Sequence, residues 1–437
     1  MYYLNNKDQK SHTSISKKMD FSLTRSNGNL VAPINPTPSE VLDLSFIDKL
    51  PVLRCYARTL HVFKHGPNAA QIIRMGLSKA LVPYYPLAGR LKESENELQI
   101  DCSGEGVWFV EASADCKLDD VDYFDDAMTI PYDKLLPEYL PEGTRVDPLV
   151  LVQVTKFECD GFVMGLTFCH SICDGLGAAQ FLNAVGEFAK GCETPTIVPI
   201  WSRNFIKSPK TNTIIPFPNM PPPMPDYNLE HAKLDIPHTH INQLKKTFQE
   251  LTGKTCSTFE VVSAHLWSTR TRAIKFPTQT ELKLVFFANC RNIIDKNQPL
   301  PKGYYGNCFF PVTITSSSNI ISNSSNAEIV KLIQEAKERL PQEFEKWVNG
   351  EMGGVDPFAP PLVYSTLFIS EWGRLGFNQV DYGWGPPTLV VPVQGSSIIP
   401  VGIVGTLPYP GKGIRLMTWC VEKAHFNFLM DQASSLS

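Results

Sequence analysis

Apolar residues at Ala69, Ile72, Ile73, Leu77, Ala80 and Leu81 recur at threes and fours. This spacing predicts a helix over about 68–82 with one buried face. Asn68 suits its N-cap, and Pro83 and Pro86 stop it. Short β-rich runs at 97–100 and 106–111 follow. The clearest hairpin pairs 149–157 with 162–168, with Asp160-Gly161 as a two-residue turn. A helix comes next, since Leu176, Ala179, Leu182, Val185 and Ala189 keep helical spacing and Gly191 ends it. Periodicity then fades from Cys192 to about His240, through the proline-rich run PFPNMPPPMPDY. Beyond it, Ser257-Thr258-Phe259-Glu260 has the capping-box pattern and opens a helix toward Arg272. The pattern also predicts a buried strand over 284–290, a Ser/Asn loop over 316–325 and a helix over 327–348. Strands follow near 362–370, 389–393, 401–406 and 414–421, and a short helix runs from Glu422.

These elements describe a mixed α/β chain with antiparallel hairpins, not a regular βαβ alternation. The long aperiodic stretch reads as a crossover between two domains. The expected division is a frayed extension over 1–20, an N-terminal domain over 21–195, a crossover over 196–240 and a C-terminal domain over 241–437. The chain has 437 residues, 43% hydrophobic and 19% charged, with a net charge of −4. That composition excludes a largely disordered chain. It also lacks the basic balance of a nucleic-acid binder, and no apolar run reaches the length that spans a bilayer. The eleven cysteines are scattered with no CxxC pair, which suggests reduced thiols, several of them buried, over a disulfide framework. The first residues carry no apolar signal core, so the expected compartment is the cytoplasm.

Candidate chemistry centres on His170. It ends the apolar run Val163-Met164-Gly165-Leu166-Thr167-Phe168-Cys169 and precedes a Gly-flanked turn into a helix. A histidine at a strand end can present one ring nitrogen to a cleft, and its titration near neutrality suits general-base work. Asp174, four residues on, could hold the imidazole tautomer or anchor the loop. The pair also fits a core histidine beside a helix-capping aspartate. The spacing of Cys169, His170 and Cys173 fits no usual zinc framework, so no metal is expected. GlyXSerXGly and phosphate-cradling glycine loops are absent, which leaves no nucleophile elbow and no nucleotide fold. The second notable segment is Asp381-Tyr382-Gly383-Trp384-Gly385. It reads as a tight turn over apolar surface. A buried Asp381 would need a cation, and Arg291, just after the 284–290 strand, is the candidate for that structural ion pair.

His170-Ser171-Ile172-Cys173-Asp174-Gly175 together with Asp381-Tyr382-Gly383-Trp384-Gly385 resembles the plant BAHD acyltransferases, with their HisXXXAsp and AspPheGlyTrpGly motifs. Supporting stretches are Tyr84-Tyr85-Pro86-Leu87-Ala88-Gly89-Arg90-Leu91, Gly104-Glu105-Gly106-Val107 and Gly303-Tyr304-Tyr305-Gly306-Asn307. The region 169–191 is most similar to the taxane O-acyltransferases and benzyl-alcohol-type acyltransferases. Tyr382 stands where the family usually has Phe.

The resemblance implies two similar-sized chloramphenicol-acetyltransferase-like α/β domains with mixed sheets, a long crossover and a channel between them. It implies an acyl-CoA-dependent acyltransferase, transferring groups other than aminoacyl groups, in plant specialised metabolism. His170 would take the acceptor proton. Asp174 and Asp381 would complete the catalytic motifs, more as braces than as acids. Ser257 and Thr258 would contact CoA at a helix start that favours phosphate, and Trp384 would lie near the channel. The expected enzyme is a monomer with acyl-CoA as co-substrate, no resident cofactor and neither nucleic acid nor membrane as partner. A hydrophobic alcohol is the expected acceptor, and the donor is acetyl or aromatic. The alternatives are N-acylation of an amine or polyamine, and a catalytically silent member of the family.

Overall fold

The structure, a computed structural model, describes residues 21–94, 97–127, 129–138, 147–205, 225, 227–293, 300–393 and 399–433. The expected extension over 1–20 and most of the proline-rich connection lie outside these residues. The chain forms two compact units. The first comprises Met1–Ser208 with Leu300–Asn307 and Leu375–Val393, and the second comprises Pro209–Pro299, Cys308–Arg374 and Gln394–Ser437. The division therefore differs from the contiguous one expected. Two segments from the C-terminal half, including Asp381–Gly385, build the first unit.

The first unit is organised on a seven-stranded sheet. Its order is Leu23–Arg25, Val107–Ala114, Val150–Lys156, Phe162–Cys169, Tyr56–Phe63 and Leu389–Pro392, with Asn29–Val31 also paired to Val107–Ala114. Only the pairing of Val107–Ala114 with Val150–Lys156 is parallel. Every residue of Phe162–Cys169 is buried, as a central strand covered on both faces requires. The predicted hairpin forms, but its connection is the five-residue loop 157–161, in which the Phe157 N–H donates to the Gly161 carbonyl at 2.9 Å. Helices Ala69–Ala80 and Gly175–Ala189 pack together, and Gly76 permits it: a Cβ there would lie 2.6 Å from the Val185 carbonyl oxygen. Asn68 precedes the first helix in the left-handed region at φ 58° and makes no side-chain cap.

The second unit holds a six-stranded sheet. Its order is Glu230–Pro237, Gly413–Val421, Val401–Thr406, Thr366–Glu371, Glu281–Asn289 and Phe309–Ser317. Two of these strands were not expected. Glu230–Pro237 falls inside the proline-rich connection but alternates, burying Ala232, Leu234 and Ile236. Phe309–Ser317 contains Pro311, which is tolerated because this strand lies at the sheet edge. Helix His238–Thr252 was also missed, and the expected 316–325 loop holds a helical turn, Ser318–Asn323. No helix among the described residues is long and apolar enough to cross a membrane.

The capping box at Ser257 forms as its sequence predicts. The Ser257 hydroxyl accepts from the Glu260 N–H at 3.2 Å, and the Glu260 carboxylate accepts from the Ser257 N–H at 2.8 Å. Glu260 also accepts from Gln334 at 3.2 Å and pairs with Lys337. Burial opposes its charge, but the Lys337 and Ser257 hydrogen bonds outweigh it and hold the carboxyl below its usual range. A lowered folded-state pKa means that this contribution is fully present above the unfolded carboxylate's pKa of about 4.3. It is lost as pH falls through the lower folded value. Glu260→Gln should therefore lower unfolding free energy near neutral pH by about 1–3 kcal/mol and flatten the fall in stability below pH ~4. Urea titrations of both proteins at neutral and acidic pH check this.

Candidate active site

The strand Phe162–Cys169 pairs antiparallel with Tyr56–Phe63, with Tyr56 opposite Cys169. His170 leaves the sheet one step later, its N–H still donating to the Cys55 carbonyl at 2.8 Å. The Ile172 N–H then donates to the Cys169 carbonyl at 3.2 Å, closing a tight turn. The Ser171 hydroxyl donates to the Leu53 carbonyl at 3.0 Å. Asp174 is the N-cap of Gly175–Ala189, accepting from the Gly177 N–H at 2.9 Å. Ser171, Ile172, Cys173 and Asp174 are buried, while His170 is half-buried. The motif thus puts a half-buried histidine on a turn tied to Cys55, Cys169 and Leu53 by hydrogen bonds.

Three residues not predicted from the sequence hold that turn. Asp48 and Arg203, both buried, form an ion pair at 3.1 Å. One Asp48 oxygen accepts from the Asn307 backbone N–H at 3.1 Å and from its side-chain amide at 2.7 Å. The other accepts from the Ser45 N–H at 3.1 Å and from its hydroxyl at 2.7 Å. The Asn307 amide also donates to the His170 carbonyl at 2.7 Å, and Arg203 donates to the Ile172 carbonyl at 2.7 Å. The Arg203 guanidinium lies 3.9 Å from the Trp201 ring centroid and 5.1 Å from that of Tyr305. Burial works against its charge, but Asp48 and the tyrosines outweigh burial and raise its pKa. It stays a cation.

The Asp381 segment belongs to the same unit but lies elsewhere on it. Its carboxylate accepts from the Gly383 and Gly385 N–H groups, each at 2.8 Å, and pairs with Lys190 at 3.3 Å. Burial opposes the charge, and the two amides and Lys190 more than offset it, holding the carboxyl below its usual range. The expected partner was Arg291. The ion pair is instead with Lys190, because the segment packs on the far turns of Gly175–Ala189: a Cβ on Gly186 would lie 2.5 Å from the Asp381 carbonyl oxygen. Gly186 is about 16 Å along the helix axis from Gly175, at ~1.5 Å per residue. Asp381 is therefore remote from His170 and builds its own loop. Arg291 follows Glu281–Asn289 in the second unit, where its backbone N–H donates to the Asn289 side chain at 3.0 Å.

Trp384 packs edge-on against Phe162, ring centroids 5.9 Å apart. Phe162 begins the strand that ends beside His170, so the indole is roughly 26 Å from His170 along the strand at ~3.3 Å per residue. It packs at the opposite end of that strand from the His170 turn. The Tyr382 hydroxyl, new relative to the family's usual Phe, sits 3.2 Å from the Met164 sulfur in full burial, and its pKa is raised by that burial. In the second unit, Ser257 and Thr258 begin the helix Thr258–Ile274, with the Ser257 hydroxyl used as its cap.

Other candidates for the chemistry fall away. Burial raises the Cys169 thiol to about 12 and the Cys173 thiol well above its ordinary value, so neither is a thiolate at neutral pH. All eleven cysteines are free. Buried His61, whose ring nitrogen is 2.8 Å from the Thr59 hydroxyl, is pushed down to about 3 and is a neutral core residue. Among the described residues no group of three or more His, Cys, Asp or Glu could hold a metal ion.

The first unit is thus a mixed-sheet α/β body in which the HisXXXAsp segment sits on a turn braced by the buried Asp48–Arg203 pair. The profile of the Transferase family matches residues 21–427, and the chain belongs to this family, the plant BAHD acyltransferases. It is an acyl-CoA-dependent acyltransferase. It is 40% identical to Acyl transferase 4 of Oryza sativa subsp. japonica, over 93% of this chain and 97% of that one. It is 39% identical to myricetin 3-O-glucosyl 1,2-rhamnoside 6'-O-caffeoyltransferase AT2 of Crocosmia x crocosmiiflora, over 96% and 100%. Taxadien-5-alpha-ol O-acetyltransferase of Taxus chinensis is 34% identical over 86% and 88%. Two crystal structures share the fold. Vinorine synthase has a TM-score of 0.71 at 21% identity, covering 95% of this chain and 98% of that one. F. sporotrichioides TRI101, complexed with coenzyme A and T-2, has 0.69 at 15%, covering 90% and 97%.

The Asp381 geometry predicts a structural phenotype. Asp381→Ala should cost about 1–3 kcal/mol, since it removes an acceptor for two amides and a partly exposed ammonium. Activity should fall only with the folded fraction. A proton-transfer role would instead lower kcat by about 10²–10⁴-fold at unchanged stability. Parallel urea titration and kcat measurement separate the two.

Proposed function

We propose that the protein transfers an acetyl or aromatic acyl group from its CoA thioester to the hydroxyl of a hydrophobic acceptor, with His170 as general base. The observation that carries this reading is the half-buried His170 ring on a turn whose backbone is pinned by Cys55 on one side and Asn307 on the other. A base so held pays little reorganisation when the acceptor arrives. The imidazole takes the acceptor proton as the oxygen attacks the thioester carbonyl. The tetrahedral intermediate collapses, the C–S bond breaks, and the imidazolium returns the proton to the leaving sulfur, giving free CoA thiol. Every group is then as it began, so no resident cofactor is needed.

Two relatives, the caffeoyltransferase and the taxadienol acetyltransferase, are O-acyltransferases by name, while 3'-N-debenzoyl-2'-deoxytaxol N-benzoyltransferase of Taxus canadensis, 35% identical, acts on nitrogen by name. The choice of oxygen therefore rests on the surroundings of His170. Val163, Leu166, Phe168, Ile172 and Phe181 are apolar and buried, and Asp174 is engaged as a helix cap. An alkylammonium acceptor would need carboxylates to offset its desolvation. For CoA we favour the backbone N–H groups at the start of Thr258–Ile274 over the Ser257 hydroxyl, which the capping box occupies.

The test combines mutation with competition. The parent enzyme and His170→Ala are given acetyl-CoA, benzoyl-CoA or a hydroxycinnamoyl-CoA with equal concentrations of benzyl alcohol, a terpenoid alcohol and spermidine. Esters should dominate in the parent, and kcat should fall by about 10²–10⁴-fold in the variant with little change in melting temperature. Dominant spermidine amides would overturn the acceptor reading. Parent-like rates in His170→Ala would overturn the mechanism.

A further inference from the structure

We propose that Asn307 is a positioning residue for His170, fixed by the buried Asp48–Arg203 pair so that its side-chain amide holds the His170 carbonyl. This rests on the reading of His170 as the base. Asn307 donates 2.7 Å hydrogen bonds from one side-chain nitrogen to both Asp48 and the His170 carbonyl. Asp48 is fully buried and paired with Arg203, so its carboxylate can only accept. That fixes which way the Asn307 amide faces. The nitrogen must point at Asp48, and its second hydrogen is aimed at His170. Asp there would set two carboxylates against each other, and Ala would leave the part-buried His170 carbonyl without this donor.

The chain around Asn307 gives this contact its rigidity. The segment Leu300–Asn307 packs on the helix that follows the His170 turn, in the same unit. Gln180, on that helix, donates to the Gly303 carbonyl at 3.0 Å. A Cβ on Gly177 would lie 1.9 Å from the Tyr305 carbonyl oxygen, so the helix backbone touches the segment directly. A Cβ on Gly306 would lie 1.8 Å from the Arg203 guanidinium. One segment therefore grips both the turn, through Asn307 and His170, and the start of the helix, through Gly177. With the His170 peptide fixed by Cys55 before it and Asn307 after it, the imidazole's direction follows from its own rotamer. A misplacement of about 1 Å at a reacting group can cost about 10²-fold in rate, so loss of the Asn307 bond should act on kcat.

The experiment compares the full-length parent with Asn307→Ala, Asn307→Ser and Ile73→Val, a core variant of the same unit outside the site, alongside His170→Ala. Asn307→Ala should lower kcat by about 10–100-fold and leave KM for acyl-CoA within about twofold. Ile73→Val should lose thermal stability while keeping the parent kcat. Asn307→Ser, with one shorter donor, should fall between Asn307→Ala and the parent, and it serves if Asn307→Ala does not fold. Soluble Asn307 variants with parent kcat would overturn the proposal. So would a kcat loss in Ile73→Val that tracks melting temperature as it does in Asn307→Ala. His170→Ala separates the two claims. If it is inactive while the Asn307 variants are not, the base reading stands and the positioning role is lost. If it retains parent activity, the base reading fails on its own account.

Discussion

The site depends on a carboxylate and a guanidinium shut away from water. Asp48 and Arg203 each carry a full charge with almost no solvent contact. Such ions are tolerated only as a close pair with further polar partners. Here those partners shape the site. Both Asp48 oxygens are used, one by Asn307 and one by Ser45. Arg203 reaches the Ile172 carbonyl and lies against Trp201 and Tyr305. A demand for charge compensation thereby fixes two carbonyls of the five-residue motif His170–Asp174. Removing either ion would leave the other uncompensated, at a cost of about 3–5 kcal/mol.

From this anchor the two family motifs take different roles. The His170 turn is held by the buried network, and His170 is its one half-buried residue. The Asp381 segment sits on the far turns of the same helix, about 16 Å along it, with its carboxylate folded onto its own loop amides. The helix Gly175–Ala189 is the common element. Asp174 caps its start, and Lys190, just past its end, pairs with Asp381. Both motifs therefore hold one helix, one at each end.

What the sequence made legible follows the range of the interactions. His170 at a strand end, Asp174 at a helix start and the Ser257 capping box are local patterns, each readable within a few residues. The mixed α/β class followed from alternation and helical stripes. Asp48, Arg203 and Asn307 are 48, 203 and 307 residues along the chain, and nothing local marks them as neighbours. Ser45 and Asp48 show only a short turn pattern, and Asn307 stood out solely through its family stretch. Arg291 was paired with Asp381 because both needed an opposite charge, yet Lys190 lay nearer through the helix, a fact that spacing does not carry. The packing of Trp384 on Phe162, a strand's length from His170, is likewise a long-range contact that its sequence neighbours do not mark. Strand Phe309–Ser317 was hidden by Pro311, whose edge position only the assembled sheet reveals.

The central claim is that His170, held by its backbone, meets the acceptor directly. A crystal structure of the enzyme with CoA and an unreactive acceptor alcohol tests it most directly. The account predicts the acceptor hydroxyl within about 2.6–3.2 Å of a His170 ring nitrogen, with the Asn307 bond to the His170 carbonyl intact. A hydroxyl held by another side chain, with the imidazole out of hydrogen-bond reach, would contradict it.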